Sequence, residues 1–375
     1  MNTATFIGTM SGTSVDGLDI VVADFDKNGT PSLIHSYFAA YPSRLRRRIS
    51  HLQTLPASTL FNLQHQELSD LDQELADFYS EHIKLCLTKN DIASADIQAI
   101  GNHGQTILHQ PNSQPAFSLQ ICDPQQLANL CQIPVIANFR QADIQQQGQG
   151  APLIPAFHAH IFNAKKPCAI VNIGGISNST FLFEKEVTGF DHGPGNTLMD
   201  TWIFQNQQQA YDKDGAWAKS GTVHEGLLQQ LLDHPYFQLK APKSTGQDMF
   251  NLAWLENNLL DFPDLCANDI QTTLCNLTAK CIAQDILNYN PSINKLYVCG
   301  GGVQNHFLME RLAFYLGNKI SISSTDKLGI DPNWVEALGF AWLAFRHINK
   351  QTGNLPTVTG AKKAVILGQR YDPKP

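Results

Sequence analysis

The sequence predicts an α/β protein of two lobes, each built on a mixed sheet with helices packed around it. Three observations lead there. The chain of 375 residues is long for one hydrophobic core, and its 43% apolar content can fill two. The opening "TATFIGTMSGTSVDGLDIVVADF" reads as strand, tight turn, strand, because two apolar, β-branched runs flank a bend of Gly, Thr, Ser and Asp. The same layout returns near mid-chain, from Ala169, in "AIVNIGGISNSTFLF". The two starts imply halves on one plan, a weak duplication without a clear sequence repeat. The expected lobes are 1–165 and 166–375.

The elements follow in order. "RLRRR" (Arg44 to Arg48) begins a helix and reads as a solvated face. Across 58–88, Leu60, Leu63, Leu68, Leu71, Leu75, Phe78, Ile83 and Leu87 recur at helical spacing, which predicts one long helix. "DIQAIGNHGQTILHQ" is a strand ending in a polar turn, followed by a strand "FSLQI", a helix "DPQQLANLC" and a strand "IPVIANF". "QQQGQGAPLIPAFH" is a loop leading into a helix near 153–162. Helical segments fill 196–209, 222–234, 250–260 and 269–290. "KLYVCGGGVQNHFLMERLAFYL" reads as strand, triple-glycine turn and amphipathic helix. "WVEALGFAWLAFRHIN" is a last long helix, and the tail "AVILGQ" a further strand.

Composition narrows the function. A net charge of −7 argues against nucleic acid as the main partner. No apolar run is long enough to span a bilayer, and the N-terminus has no charged start before an apolar core, so neither a membrane anchor nor an export signal is expected. The eight cysteines are scattered without a CxxC pair and read as reduced core thiols in the cell interior.

Three glycine turns invite a phosphate. "GTSVDGLD" has the glycine spacing of a P-loop, but Leu18 and Asp19 stand where Lys and Ser/Thr belong, so the P-loop is rejected. "GGGVQN" ends in Asn305 rather than glycine and lies late in the chain, which disfavours a Rossmann site. No HRD or DFG element accompanies a kinase glycine loop. What remains is convergence of the three turns on one nucleotide. Two hairpins would hold phosphates through N–H and hydroxyl donors, and the triple glycine would let backbone approach the adenosine. For the first bend, an ordinary polar hairpin tip is the alternative. The layout resembles the actin, heat-shock-ATPase and sugar-kinase superfamily, which implies a two-lobed actin-like fold with the nucleotide in the interlobe cleft.

The strings "FIGTMSGTSVDGLD", "GNHGQTILHQP", "GQGAPLIPAFH", "VNIGGISN", "GFDHGPGNTLMD", "YVCGGGVQN" and "VEALGFAWLAFR", in this order, resemble the anhydro-N-acetylmuramic acid kinase family. The resemblance implies a cytoplasmic enzyme of bacterial cell-wall recycling. With ATP and water it would open the anhydro ring of 1,6-anhydro-N-acetylmuramic acid and phosphorylate O6, giving N-acetylmuramate 6-phosphate and ADP. ATP would lie on Gly12, Thr13, Ser14, Val15, Asp16, Gly17, Leu18, Asp19, Gly174, Gly175, Gly301, Gly302 and Asn305. A homodimer is a family expectation. Gln110, Asn138, Gln147 and His192 stand where the family usually has Arg, Asp, Gly and Thr.

Each candidate side chain has a plainer reading beside it. Asp191, where Gly193 and Pro194 turn the chain sharply, is the expected general base for the attacking water; otherwise it caps the helix starting near Asn196. Asp16 is the carboxylate expected near Mg²⁺, through water, or else a turn residue. Glu336 faces the sugar or favours its helix N-terminus. Arg140 presents a fork suited to the lactyl carboxylate, or makes a surface ion pair. Gln105 is a sugar ligand, and His103 a structural neighbour in the same turn. The competing functional readings are a nucleotide-switched actin- or chaperone-like module without sugar kinase activity, and a glycoside-processing enzyme without ATP.

Overall fold

The computed structural model describes residues 3–374 apart from 56, 63, 64, 112, 242, 247, 248 and 291. Its strands, in chain order, are β1 (Ala4–Ser11), β2 (Gly17–Phe25), β3 (Pro31–Ala40), β4 (Ile97–Gln110), β5 (Phe117–Ile121), β6 (Val135–Ala137), β7 (Cys168–Ile173), β8 (Ile176–Leu182), β9 (Val187–Pro194), β10 (Lys295–Cys299), β11 (Ser321–Ser324) and β12 (Gln369–Tyr371). They form two mixed sheets with helices in each of two units, as the α/β reading expects.

The first unit holds the order β12-β6-β4-β1-β2-β3, with β5 attached to β4. The second holds β11-β10-β7-β8-β9. In each, three antiparallel strands in chain sequence (β1, β2, β3; β7, β8, β9) are extended from the first strand by parallel partners (β4, β6; β10, β11). The duplication suspected from the two strand–turn–strand starts is therefore a duplication of topology. Each unit has its own core, around Ile7, Leu18, Ile20, Leu75, Tyr79 and Ile100 in one and Val171, Phe181, Leu227, Leu274, Ile282 and Leu296 in the other.

The division differs from the expected one. Unit 1 is Met1–Ile161 together with Trp334–Pro375, and unit 2 is Phe162–Asn333. The last segment belongs to unit 1 for two reasons. β12 pairs antiparallel with β6 at that sheet's edge. The helix Val335–Ile348 lies directly on β1 and β4, at two glycines that face each other in the parallel register, Gly8 and Gly101. A Cβ on Gly8 would sit 1.9 Å from the Ala337 carbonyl oxygen, and one on Gly101 2.0 Å from that of Phe340. Helix backbone rests on strand backbone, and the alanines at 337, 341 and 344 allow the approach.

Smaller differences have local causes. The helix expected across 58–88 is Ala57–Asn62 followed by His65–Lys89, and Leu63 lies outside the described residues. β4 does not end at His103 but continues to Gln110, with Gly104 at φ +71° absorbing the irregularity. β3 was not foreseen; it is a sheet edge whose Leu33, Ile34 and Phe38 are exposed, so no buried pattern marks it. β11, short and serine-rich, was missed likewise. Strand structure in the tail is confined to Gln369–Tyr371. The arginine cluster lies on the outer face of the helix Ser43–Thr54, whose Leu45, Ile49 and Leu52 are buried, and Arg48 pairs with Glu74.

Gly101→Ala should destabilise the protein by about 2–4 kcal/mol, because backbone rather than a side chain would have to move. Urea midpoints compared with Ala99→Gly, a change on the same strand without that contact, check this; equal losses would contradict it.

Candidate active site

In unit 1 the bend between β1 and β2 is held from beneath. The Ser11 hydroxyl lies 2.5 Å from that of Tyr79 and accepts from Tyr41 at 2.9 Å, a buried hydroxyl cluster that fixes where β1 ends. Val15 adopts φ +55°, a strained choice for a β-branched residue. Burial of its side chain, 2% exposed, offsets that cost. The Gln105 amide donates to the Gly12 carbonyl at 3.0 Å. Gln105, expected on the sugar, is fully buried; its amide N–H braces the hairpin, while its Oε1 has no hydrogen-bond partner among the described residues. Above the bend there is room. A Cβ on Gly12 would meet nothing nearer than the Ser14 hydroxyl at 3.4 Å, so packing does not require this glycine. Gly17 differs, because its Cβ would strike the Ala39 carbonyl at 2.3 Å.

Three carboxylates act on one another at this hairpin. Burial, reinforced by the charges of Asp16 and Glu336, pushes Asp19 up to about 8. Asp16 is exposed and accepts from the Ser14 hydroxyl at 2.8 Å. Glu336 stands in the first turn of the helix Val335–Ile348 and also faces Arg140, whose guanidinium burial lowers to about 10 against the pull of Glu336. The Arg140 fork donates through Nη1 to the Gly150 carbonyl and through Nη2 to His103 Nε2, both at 2.9 Å. Burial, with Arg140 beside it, holds His103 well below its usual range, so the imidazole is a neutral acceptor. These bonds replace the surface ion pair that was the plain reading of Arg140. One contributor had no signal in the sequence. Asp143, fully buried, accepts from the Gly150 N–H at 2.8 Å, the Asn354 amide at 2.6 Å and the Thr359 hydroxyl at 2.7 Å. It ties the loop that receives Arg140 to the returning C-terminal segment.

In unit 2 the turn between β7 and β8 uses its carbonyls internally. Gly174 accepts from the Asn196 N–H, and Gly175 from that of Gly195, both at 2.8 Å. A Cβ on Gly174 would meet nothing nearer than the Ile176 oxygen at 3.6 Å. The triple glycine divides by role. Gly300, at φ +83°, and Gly302 press on β7, where a Cβ would strike Asn172 Oδ1 at 2.3 Å and Ile173 Cγ2 at 2.4 Å respectively. Gly301 is open, its nearest neighbour the Asn196 amide at 3.9 Å. Asn305, expected on the nucleotide, caps the helix His306–Leu316 by accepting from the Leu308 N–H at 2.9 Å.

Asp191 is in β9 and does not cap the following helix. Its Oδ2 accepts from the Thr245 N–H at 3.0 Å, its own N–H donates to the Lys243 carbonyl, and its carbonyl accepts from the Tyr236 hydroxyl at 2.7 Å. Burial pushes its carboxyl up to about 7, against the Thr245 hydrogen bond and the positive charge of Lys243. Beneath it runs a buried polar row. Lys243 pairs with Asp285 at 3.0 Å, and Asp285 with His192 Nδ1 at 2.9 Å. His192 Nε2 then meets the Ser179 hydroxyl. Ser179, His192 and Asp285 stand in the order of a hydrolase triad, but His192 is fully buried and Ser179 1% exposed, so no acyl group reaches them. The row is a scaffold.

Among the described residues no group of three His, Cys, Asp or Glu is spaced to cage a metal ion, and no helix is long and apolar enough to cross a membrane. The family described as anhydro-N-acetylmuramic acid kinase matches residues 4–373. An anhydro-N-acetylmuramic acid kinase of Shewanella sp. (strain MR-7) is 48% identical over the whole of both chains. One from Shewanella denitrificans is 47% identical over 98% of each. Among solved structures, component A of (R)-2-hydroxyglutaryl-CoA dehydratase from Acidaminococcus fermentans aligns with 92% of this chain and all of its own, at 11% identity and a TM-score of 0.48.

The raised carboxyls of Asp19 and Asp191, near 8 and 7 against an ordinary 3.8, make stability pH-dependent. Below the ordinary value both folded and unfolded states are protonated. Between there and about 8 the unfolded chain ionises first, so the stability these two groups contribute falls as pH rises through that window. Burial holds His103, His109, His158 and His192 below their ordinary 6.5, which acts the other way at acid pH. Without divalent cations, Asp19→Asn should therefore raise the urea midpoint over that of the unsubstituted protein by an amount that grows from pH 4 to pH 8, reaching about 2–4 kcal/mol. A difference that stays flat or shrinks over this range would refute the assignment.

Proposed function

Since the chain belongs to the anhydro-N-acetylmuramic acid kinase family, we propose that it opens the anhydro ring of 1,6-anhydro-N-acetylmuramic acid with water and phosphorylates O6 from ATP, in cell-wall recycling. The products are N-acetylmuramate 6-phosphate and ADP. The observation that carries the assignment of roles is Asp191: a half-buried carboxylate clamped at one oxygen by Thr245 and pushed by desolvation up to about 7. A base with that affinity for protons is matched to neutral pH. The water oxygen bonds to the anomeric carbon while its proton passes to Asp191. The bond from that carbon to O6 breaks, O6 bonds to the γ-phosphorus, and the oxygen bridging to the β-phosphate leaves with ADP. The ring opening resembles an inverting glycosidase, with phosphoryl transfer capturing the leaving oxygen in place of a general acid.

ATP fits turns whose glycines the fold itself does not demand. Gly12, Gly174 and Gly301 have no tight neighbour where a Cβ would stand and no positive φ, so each leaves backbone accessible. Thr13, Ser14 and Gly175 complete the phosphate turns, while Val15, Gly17, Leu18, Gly302 and Asn305 shape them. Carboxylates at a phosphate bend would repel a triphosphate, so the donor set calls for a cation. Asp16, with Asp19 beside it, would hold Mg²⁺ largely through its water, since hydrated Mg²⁺ needs few protein ligands. Bound there, the ion would offset charge on the phosphates. Arg140 is the counter-charge for the lactyl carboxylate, and Glu336, facing it, accepts a sugar hydroxyl. ATP supply and the absence of a membrane-length helix among the described residues favour the cytoplasm. A homodimer is proposed on family grounds.

The test is incubation with the anhydro-sugar, Mg²⁺ and ATP, followed by ADP release and mass analysis of the sugar. ADP release independent of sugar would instead identify a nucleotide-switched module. Asp191→Asn should lower kcat by about 10²–10⁴-fold while calorimetry still shows ATP and sugar binding. Arg140→Lys should raise KM for the sugar by about tenfold with little change in kcat, because the planar fork is lost. A fully active Asp191→Asn enzyme would overturn the mechanism.

A further inference from the structure

We propose that Lys243 is a positioning residue that sets the working pH of Asp191, and that Asp285, anchored by His192, sets how strongly Lys243 acts. The inference rests on the reading of Asp191 as the base.

Lys243 is held against Asp285 and two aromatic rings, on the segment that grips Asp191. Its side chain is 2% exposed, and lysine is almost never buried without a partner. Its ammonium bonds to both Asp285 oxygens, at 3.1 and 3.0 Å, and lies 5.1 Å and 5.9 Å from the ring centres of Tyr236 and Phe190. Its backbone carbonyl receives the Asp191 N–H, and two residues on, Thr245 donates to the Asp191 carboxylate. One short segment thus grips Asp191 by main chain and side chain while holding a positive charge beneath it.

Asp285 is fixed in turn. His192 is kept neutral by burial, so Nδ1–H donates to Asp285 and Nε2 accepts the Ser179 hydroxyl. An imidazole thus anchors Asp285. The remaining titratable groups facing the row are the Tyr236 hydroxyl and the Cys281 thiol. Burial drives both upward, away from the neutral range, so neither competes.

Opposite shifts in two variants make the test. For kcat/KM of sugar-dependent ADP release against pH, Lys243→Met should move the acid limb up by about one pH unit. Activity at pH 6 then falls about tenfold more than at pH 9. Lys243→Arg should restore the limb. Asp285→Asn should move it down, because Lys243 loses its counter-ion and its charge acts on Asp191 undivided. Structural damage alone would lower the profile without shifting it in opposite directions. If Lys243→Met does not fold, the downward shift in Asp285→Asn decides alone. Unmoved limbs in an enzyme that Asp191→Asn inactivates would overturn this inference and leave the base assignment standing. Activity retained in Asp191→Asn would remove both.

Discussion

The contact of the helix Val335–Ile348 with β1 and β4 through Gly8 and Gly101 is the constraint on which unit 1 depends. Any side chain at either glycine would push a helix carbonyl away from the sheet. With the helix seated, Glu336 acts on both Asp19 and Arg140. A carboxylate of the hairpin and a guanidinium from the helix Phe139–Gln145 are thereby brought under one residue. Phe345, further along the helix, closes the far side against Phe6 and Phe25 with ring centres 5.8 and 5.3 Å away.

Both units use desolvation as their chemical instrument. Removing a carboxylate from water disfavours its charged form, and what sits nearby decides the remainder. At Asp19 the neighbours are acidic and the group is driven further up, a state that a bound cation would relieve. At Asp191 a backbone N–H and an ammonium restrain the rise, leaving a carboxylate able to switch near neutrality. The same physics keeps His103 and His192 neutral, so each serves as a hydrogen-bonding part of a frame and not as a charge.

Much of this was legible in the chain. The two strand–turn–strand starts gave the duplicated plan, because alternation and glycine bends are local signals. The ordered strings gave the family. Asp191 was singled out through the family strings; the sharp turn expected at Gly193 and Pro194 is not there, because β9 runs on to Pro194. What escaped depends on partners distant in sequence. Gly8 and Gly101 look like any strand glycines until a helix more than 230 residues from either is placed on them. Asp143 and Lys243 carry no motif, and their importance lies in what burial forces them to bond. Gln105 and Asn305 sat in the expected turns, where the Gln105 amide N–H also bonds the Gly12 carbonyl and the Asn305 oxygen accepts from the Leu308 N–H. Gln147 takes φ +65°, a left-handed backbone shape that residues with a side chain seldom adopt and that its sequence neighbours do not announce.

The return of Trp334–Pro375 to unit 1 bears on how the chain matures at the ribosome. Unit 2 is complete in sequence once Asn333 has been made. Unit 1, begun first, must wait for the last strand, at Gln369–Tyr371, before its sheet edge is covered. Synthesis from the N-terminus therefore finishes the middle of this protein before its beginning. Until Val335–Ile348 has been made, the Gly8–Gly101 surface has no helix upon it, and the nascent chain carries an open sheet face.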